Sequence, residues 1–155
     1  FIRDYIFSNY NNINRYDVDK VKIIWIINDH TDFNLFYKTL NSINNYNQND
    51  KIKLYIYFTA NLSPFHKNCL QFLQYNIHNK TNYDIISGLY QNNLTIINKP
   101  DFDIIFQNLL LLNKNYKRIG MFFCGNPMLK KKLISNCYSY SRNTFDLKFD
   151  FYNVE

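Results

Sequence analysis

The sequence predicts an α/β fold, namely a doubly wound, Rossmann-like and mostly parallel sheet of about five strands with flanking helices. Apolar runs of strand length recur along the chain, and a polar hinge follows each run. Most hinges lead into apolar residues at helical spacing. Strands that alternate with helices indicate parallel strands joined by right-handed crossovers.

The first predicted strand, Val21 to Ile27, is a nearly continuous apolar run rich in β-branched residues. Such a run is typical of a strand that is covered on both faces. Residues 28–32 then offer several N-cap candidates for a helix. The apolar stripe of that helix consists of Phe33, Phe36, Leu40 and Ile43. Lys53 to Thr59 predicts the second strand.

The segment from Ala60 to Tyr83 has two interpretations. Pro64 suits the first position of a helix. The apolar residues of that helix would be Phe65, Leu70, Phe72 and Leu73. A long irregular excursion explains the same pattern equally well. Leu94 to Ile97 predicts a short third strand.

The last third of the chain repeats the pattern of strand and helix. A helix is predicted to begin at Pro100 and Asp101, with Phe102, Ile105, Phe106, Leu109 and Leu112 as its buried stripe. Asp101 and Asp103 are interpreted as a helix start rather than an acid/base pair. Arg118 to Cys124 predicts the fourth strand, and Phe145 to Tyr152 alternates as the last one. Between them, a helix opens at Pro127, with Leu129, Leu133, Ile134 and Cys137 facing inward and Lys130, Lys131, Lys132 and Asn136 facing outward.

Length and composition predict one domain and exclude several classes of site. The chain has 155 residues, and 18 basic against 12 acidic side chains leave a net charge of +6. No apolar run approaches the ~20 residues that cross a bilayer. Three glycines cannot form a G-x-G-x-x-G or Walker-type phosphate loop. Three scattered cysteines favour a reducing compartment over a disulfide framework. His66 and Cys69 have metal-like spacing, but one pair does not make a site, so no metal is expected.

Ligands of open parallel sheets bind at the carboxyl ends of the strands. Here those ends are Asn28–Asp29, Thr59–Asn61, Ile97–Pro100 and Cys124–Pro127. In the last of them, Gly125 lacks a Cβ and allows a flat ligand ring to approach the backbone. Pro127 fits the first helical position, and open amides of that helix start can face an electron-rich ligand group. The alternative is a purely structural turn with a small buried cysteine and no ligand.

The order of these strand ends resembles the pyridine-nucleotide-binding half of the NADPH oxidase and ferric-chelate reductase family, within the ferredoxin-reductase superfamily. Trp25 to Asp29 and Phe33 to Phe36 are similar to the family's Trp-x-x-Arg-Asp block and aromatic helix. The other similar blocks are Leu54–Ala60, Asp84–Leu89, Asn98–Phe102 with Phe106, Arg118–Pro127 and Phe149–Glu155. The block Arg118–Pro127 is closest, because it is similar to the family's Cys-Gly-Pro element.

The resemblance implies that residues 1–155 are a single NAD(P)-binding domain of a larger membrane flavoprotein, with its first strand missing. Hydride would pass from NADPH or NADH to FAD, and electrons would then pass through haems to oxygen or ferric iron. The implied partners are the FAD-binding and transmembrane haem domains of the same parent protein, with this domain on the cytosolic face. Cys124 would border the nicotinamide as the residue nearest the chemistry. The implied nucleotide-binding residues are Asn28, Asp29, Thr59, Ala60, Lys99, Pro100, Cys124, Gly125, Asn126 and Pro127.

Departures from the family pattern keep other functions open. Asn28 replaces a family arginine, and an amide cannot match the bidentate grip of a guanidinium on a ribose 2′-phosphate. Lys99 replaces another arginine and supplies a point charge, so the choice between NADPH and NADH stays open.

One alternative is a basic α/β module that binds nucleic acid or an anionic membrane surface through Lys130–Lys132. A solvated helix face explains these lysines more simply, and no nucleic-acid partner is expected. The other alternative is a degenerate dinucleotide fold without catalysis.

Overall fold

A computed structural model describes residues 20–46, 51–91, 94–142 and 147–154 of the chain. The chain divides into two compact units, residues 1–99 and residues 100–155. The first unit contains β1 (Val21–Ile27), α1 (Thr31–Tyr46), β2 (Ile52–Phe58), α2 (Pro64–Thr81), β3 (Tyr83–Asp84) and β4 (Leu89–Tyr90). The second contains α3 (Phe102–Leu112), β5 (Arg118–Phe123), α4 (Pro127–Arg142) and β6 (Lys148–Asn153).

The first unit is built on the parallel pair β1–β2. Their register runs from Val21 opposite Ile52 to Ile27 opposite Phe58, so both strands end together. The buried core against this pair consists of Ile27, Phe33, Leu40, Leu54, Ile56 and Leu89. The predicted stripe of α1 is confirmed at Phe33 and Leu40, whereas Phe36 is half exposed. The side chain of Ile43 lies outside the described residues.

The segment after β2 forms a helix, α2, rather than an irregular excursion. Ser63 caps its start by accepting a hydrogen bond from the His66 amide, and Pro64 occupies the first turn. The predicted apolar side of α2 is wrong in part, because Phe65, Phe72 and Leu73 are 73%, 69% and 50% exposed. The buried residue of this helix is the polar Gln74.

The predicted strand at Leu94 to Ile97 is reduced to one parallel bridge between Tyr57 and Ile96. Ile96 donates to the Ile56 carbonyl at 2.8 Å and accepts from the Phe58 amide at 2.9 Å. At the neighbouring residue, the amide of Thr95 donates to Asp84 Oδ2 and its carbonyl accepts from Gln74 Nε2. The amide and carbonyl of Thr95, which could otherwise pair with a further strand, are therefore bonded to the side chains of Asp84 and Gln74.

The second unit is built on the parallel pair β5–β6, whose register runs from Arg118 opposite Lys148 to Phe123 opposite Asn153. Its buried side chains are Phe102, Phe106, Phe123, Leu133, Cys137, Leu147 and Phe149. Phe106 joins the helices to the strands, with ring centroids 5.2 Å from Tyr140 and 4.9 Å from Phe149.

Several predicted orientations in this unit need correction. Leu112 is 73% exposed because it lies in the last turn of α3, beyond the part of the helix that is buried. In α4, Leu133 and Cys137 are buried as predicted, but Lys130 and Asn136 are half-buried rather than fully outward. Asn136 Nδ2 donates to Asp103 Oδ1 at 3.2 Å, which draws this side chain toward α3. Phe145 and Asp146 of the predicted last strand lie outside the described residues.

The fold is mixed α/β with short parallel strand pairs, which is consistent with a Rossmann-like nucleotide-binding domain. In residues 20–46, 51–91, 94–142 and 147–154, three two-stranded sheets form instead of a continuous five-stranded one: β1–β2 and β5–β6 are parallel, and β3–β4 is antiparallel. None of the helices described has both the length and the apolar character that a bilayer-crossing segment requires.

Candidate functional site

A half-open polar cavity of about 320 Å³ lies in the first unit, at the carboxyl end of β2. Its walls come from the loop between β2 and α2, the first turn of α2, and the turn after the Ile96 bridge. The lining residues are Phe58, Thr59, Ala60, Asn61, Leu62, Lys67, Ile97, Asn98 and Lys99. Three predicted site residues, Thr59, Ala60 and Lys99, therefore lie together around one cavity.

Thr59 connects the ends of the two parallel strands. Its amide donates to the Ile27 carbonyl at 2.7 Å, and its hydroxyl donates to the same oxygen at 2.9 Å. This double contact extends the hydrogen bonding between β1 and β2 by one residue. It also fixes the position at which the loop between β2 and α2 begins. The Thr59 oxygen keeps its lone pairs for a ligand donor, because the hydroxyl acts here as a donor.

Asn28 and Asp29 follow β1, and both are exposed. Asp29 Oδ1 accepts a hydrogen bond from the Thr31 amide at 2.9 Å, ahead of α1. That backbone hydrogen bond is the main cause that lowers the pKa of the Asp29 carboxyl. Asp29 therefore shapes the start of α1, and neither residue is among those that line the cavity.

Lys99 is exposed and follows a tight turn at Asn98. The Asn98 amide donates to the Ile96 carbonyl at 3.0 Å, and the Lys99 amide donates to Asn98 Oδ1 at 3.0 Å. These contacts set the direction in which the chain leaves the Ile96 bridge. Pro100, the next predicted site residue, begins the second unit.

Lys67 lines the cavity, although the sequence pattern did not single it out. It lies in the first turn of α2, and its amide donates to the Ser63 carbonyl at 2.9 Å. The sequence feature that could have indicated Lys67 is its position four residues after Ser63, the capping residue of a helix that follows the end of β2. That signal is weak because the start of α2 is itself uncertain from the sequence.

The second unit holds the other predicted site residues in the loop between β5 and α4. Cys124 is exposed, which contradicts the buried cysteine of the purely structural alternative. Gly125 has φ +148°, and an added Cβ would lie 3.3 Å from Phe123 Cζ. Only glycine fits this position without strain. Pro127 opens α4, as predicted.

One prediction about this loop needs correction. Asn126 Oδ1 accepts a hydrogen bond from the Met128 amide at 2.7 Å. An amide that the sequence offered to a ligand is thus already paired with a side chain inside the loop. The Asn126 carbonyl also accepts from the Lys130 amide at 3.1 Å, so Asn126 stabilises the helix start through both of its oxygens.

A buried polar cluster around Asp84 was not predicted from the sequence. Asp84 is fully buried, and six hydrogen bonds reach its two carboxylate oxygens. The donors are Gln74 Nε2, the Ile86 amide, Ser87 Oγ, Gln91 Nε2, and the amide and hydroxyl of Thr95. Within the described part of the chain, every buried side-chain nitrogen and oxygen has a partner. The cluster therefore has no donor left for a ligand and acts as a structural support.

No group of three or more metal-ligating side chains occurs among residues 20–46, 51–91, 94–142 and 147–154. His66, one half of the metal-like pair in the sequence, lies 2.9 Å from Ser63 Oγ through Nδ1. This contact belongs to the start of α2.

A polar loop at the carboxyl end of a parallel strand, beside a cavity to which lysines contribute, is typical of nucleotide-binding α/β domains. Comparison with known proteins gives the particular family. The sequence pattern of the ferric reductase NAD binding domain matches residues 2–138, and the chain belongs to this family.

Curated relatives agree with the family match. The chain is 29% identical over 133 residues to a superoxide-generating NADPH oxidase heavy chain of Dictyostelium discoideum, covering 83% of this chain and 17% of the relative. It is 27% identical over 133 residues to a probable respiratory burst oxidase homolog of Arabidopsis thaliana, covering 84% and 14%. Dual oxidase 2 of Sus scrofa is 22% identical over 125 residues, covering 79% and 8%. The chain thus spans less than a fifth of each of these relatives.

Proposed function

We propose that this chain binds NADPH or NADH and is the nucleotide-binding module of a ferric reductase or NADPH oxidase-like oxidoreductase. The observation that carries this proposal is the family match over residues 2–138. The cavity beside Thr59, Ala60 and Lys99 supports it, because these residues follow parallel strands on the side where such folds bind nucleotides.

The cavity fits one end of a dinucleotide. Its volume of about 320 Å³ is at the lower end of ligand sites, which suits a nucleoside with one phosphate rather than a whole NADPH. Phe58, Leu62 and Ile97 offer apolar surface to a base. Thr59 and Asn61 offer hydrogen bonds to a ribose, and lysines offer charge to a phosphate.

The nicotinamide end is assigned to Cys124 and the loop that follows it. NADPH or NADH supplies a hydride when it is bound. The exposed Cys124 side chain would border the nicotinamide and help hold its reactive face in position. Gly125 leaves the backbone open to a flat ring, and Asn126 and Pro127 hold the loop shape through the start of α4.

The proposed parent protein is a membrane flavoprotein. FAD in an adjacent domain would accept the hydride, and haems in a transmembrane domain would carry electrons on to ferric iron or oxygen. Support comes from the names of the relatives, which include superoxide-generating NADPH oxidases. In this proposal the module lies on the cytosolic face of the membrane.

Nucleotide binding by the 155-residue chain tests the core of the proposal. We expect NADPH or NADH to shift NMR signals of residues around Thr59, Ala60 and Lys99. No shift with millimolar nucleotide would contradict the proposal. Salt-dependent binding of RNA instead would support the basic interaction module.

Substitution in the full-length parent tests the nicotinamide assignment. Cys124→Arg places a large charged side chain in the proposed pocket and is expected to abolish flavin reduction by NADPH, measured by stopped-flow absorbance. Cys69→Arg is the matched control, because Cys69 is also exposed but lies on α2. Unchanged flavin reduction in a folded Cys124→Arg protein would place the nicotinamide elsewhere.

A further inference from the structure

We propose that Lys67 recognises the ribose 2′-phosphate of NADPH, so that the module prefers NADPH to NADH although Asn28 stands where the family has an arginine. This inference rests on the proposed function, because it concerns the same cavity. It assigns specificity to a residue of α2, outside the strand-end blocks that resemble the family.

The position of Lys67 is well defined by its surroundings. The Ser63 cap and Pro64 set the start of α2, and the Lys67 amide donates to the Ser63 carbonyl at 2.9 Å. Lys67 is half-buried, so part of its aliphatic stem is covered by neighbours while it lines the cavity. A side chain held in this way loses less conformational freedom on binding than a fully exposed lysine.

The charge of the cavity selects an anion. Lys67 and Lys99 both contribute to the lining, and none of the other lining residues is acidic. A phosphate monoester carries close to two negative charges at neutral pH, and ammonium groups bind it through charge-assisted hydrogen bonds. The aligned peptide dipoles of the long helix α2, which begins beside the cavity, add positive potential to the same place.

The same charges explain how the module can do without a guanidinium at Asn28. Asn28 is exposed and is not among the residues that line the cavity. Two point charges contributed by α2 and by the Asn98 turn replace one planar, bidentate group. NADH has a hydroxyl group in place of the 2′-phosphate, so neither lysine would gain a charge-assisted contact at that position.

Four ligands measured by calorimetry on the 155-residue chain test this inference. We expect 2′-AMP to bind at least about tenfold more tightly than 5′-AMP, because one charge-assisted contact is worth about one decade in affinity or more. NADPH should exceed NADH by a similar factor. In Lys67→Gln, which removes the charge and keeps half of the aliphatic stem, the preference for 2′-AMP should fall severalfold, and Lys67→Arg should restore it.

The control variant is Lys131→Gln, which removes the same charge from the exposed face of α4 and should leave the preference unchanged. Far-ultraviolet circular dichroism confirms that each variant is folded. A loss of affinity for 5′-AMP that equals the loss for 2′-AMP would place a 5′-phosphate at Lys67 and overturn the inference. Equal affinity of the unaltered chain for NADPH and NADH would also overturn it, while the proposed function would stand. Absence of binding by all four ligands would overturn both.

Discussion

Gln74 donates a hydrogen bond from Nε2 to Asp84 Oδ1 at 2.9 Å, and both side chains are buried. The same amide also donates to the Thr95 carbonyl at 2.8 Å. Through this pair, α2 is joined to the β3–β4 turn and to the segment that leads to Asn98 and Lys99. The lining of the proposed nucleotide cavity therefore depends on a polar contact between residues that do not themselves line it.

Asp84→Asn is expected to destabilise the protein. One carboxylate oxygen becomes an NH₂ group, which meets donors such as Ser87 Oγ or the Ile86 amide instead of accepting from them. Leaving buried donors unpaired costs about 1–3 kcal/mol of unfolding free energy. Urea denaturation followed by circular dichroism measures it.

Asp103→Asn is the matched control for this change. Asp103 is exposed and accepts from Asn136 at the surface, so the substitution should change stability by less than about 0.5 kcal/mol. Equal stability of both variants would show that the Asp84 cluster contributes little to the fold.

Gly125→Ala should destabilise the loop that carries Cys124. The backbone at Gly125 has φ +148°, which side chains with a Cβ rarely adopt, and the new Cβ would press on the ring of the buried Phe123. Backbone strain of this kind costs about 1–3 kcal/mol. Thermal unfolding measures the loss.

Gly120→Ala separates backbone strain from crowding. An added Cβ at Gly120 would lie 3.2 Å from the ring of Phe122, but that ring is 46% exposed and has room to move. We expect a smaller loss than at Gly125. A larger loss at Gly120 would mean that ring crowding, rather than φ, makes glycine necessary.

Thr59→Val removes a hydroxyl that donates to the Ile27 carbonyl while keeping the branched shape of the side chain. We expect a loss of about 0.5–1.5 kcal/mol in unfolding free energy, because the Thr59 amide still reaches the same oxygen. Hydrogen exchange of the backbone amide at position 59 should also become faster in this variant. Ser42→Ala, which removes an exposed hydroxyl bonded within α1, should leave exchange at Thr59 unchanged.

Alkaline pH should weaken the fold through Cys137. Burial raises the pKa of this thiol from the ordinary 9.0 to about 11. Below pH 9 both states keep the proton and the contribution is complete. Between pH 9 and about 11 the unfolded chain loses its proton first, so stability falls as pH rises. Cys137→Ala should show a shallower fall in urea midpoint over this range than Cys69→Ala, which removes an exposed thiol. Parallel pH curves for the two variants would contradict the assignment.

Much of the secondary structure follows from local patterns in the sequence. The nearly continuous apolar run from Val21 to Ile27 predicts β1 with the bounds that the structure has, because β-branched and aromatic residues favour an extended strand. Capping residues are also predictable from the local sequence. Asp101 Oδ1 accepts hydrogen bonds from the amides of Asp103 and Ile104, as expected of an aspartate that precedes a helix.

The remainder depends on contacts between distant polar residues. Gln74, Asp84 and Thr95 are separated by 10 or more positions, and no periodic pattern indicates that they meet. Gln74 is the buried residue of α2, whereas Phe65 and Phe72 are exposed, the reverse of what hydrophobic spacing indicates. Lys67 could not be predicted for a related reason, since its place beside the cavity depends on where α2 begins.

The backbone of Thr95 has a consequence for behaviour at high protein concentration. Extended segments with open amides and carbonyls are templates on which another molecule can add a strand, and such pairing leads to aggregates. At Thr95 those two groups are held by Asp84 and Gln74. An incoming strand would have to displace the buried Asp84 carboxylate and the buried Gln74 amide before it could form a backbone hydrogen bond at Thr95. The cluster therefore disfavours self-association through this strand edge.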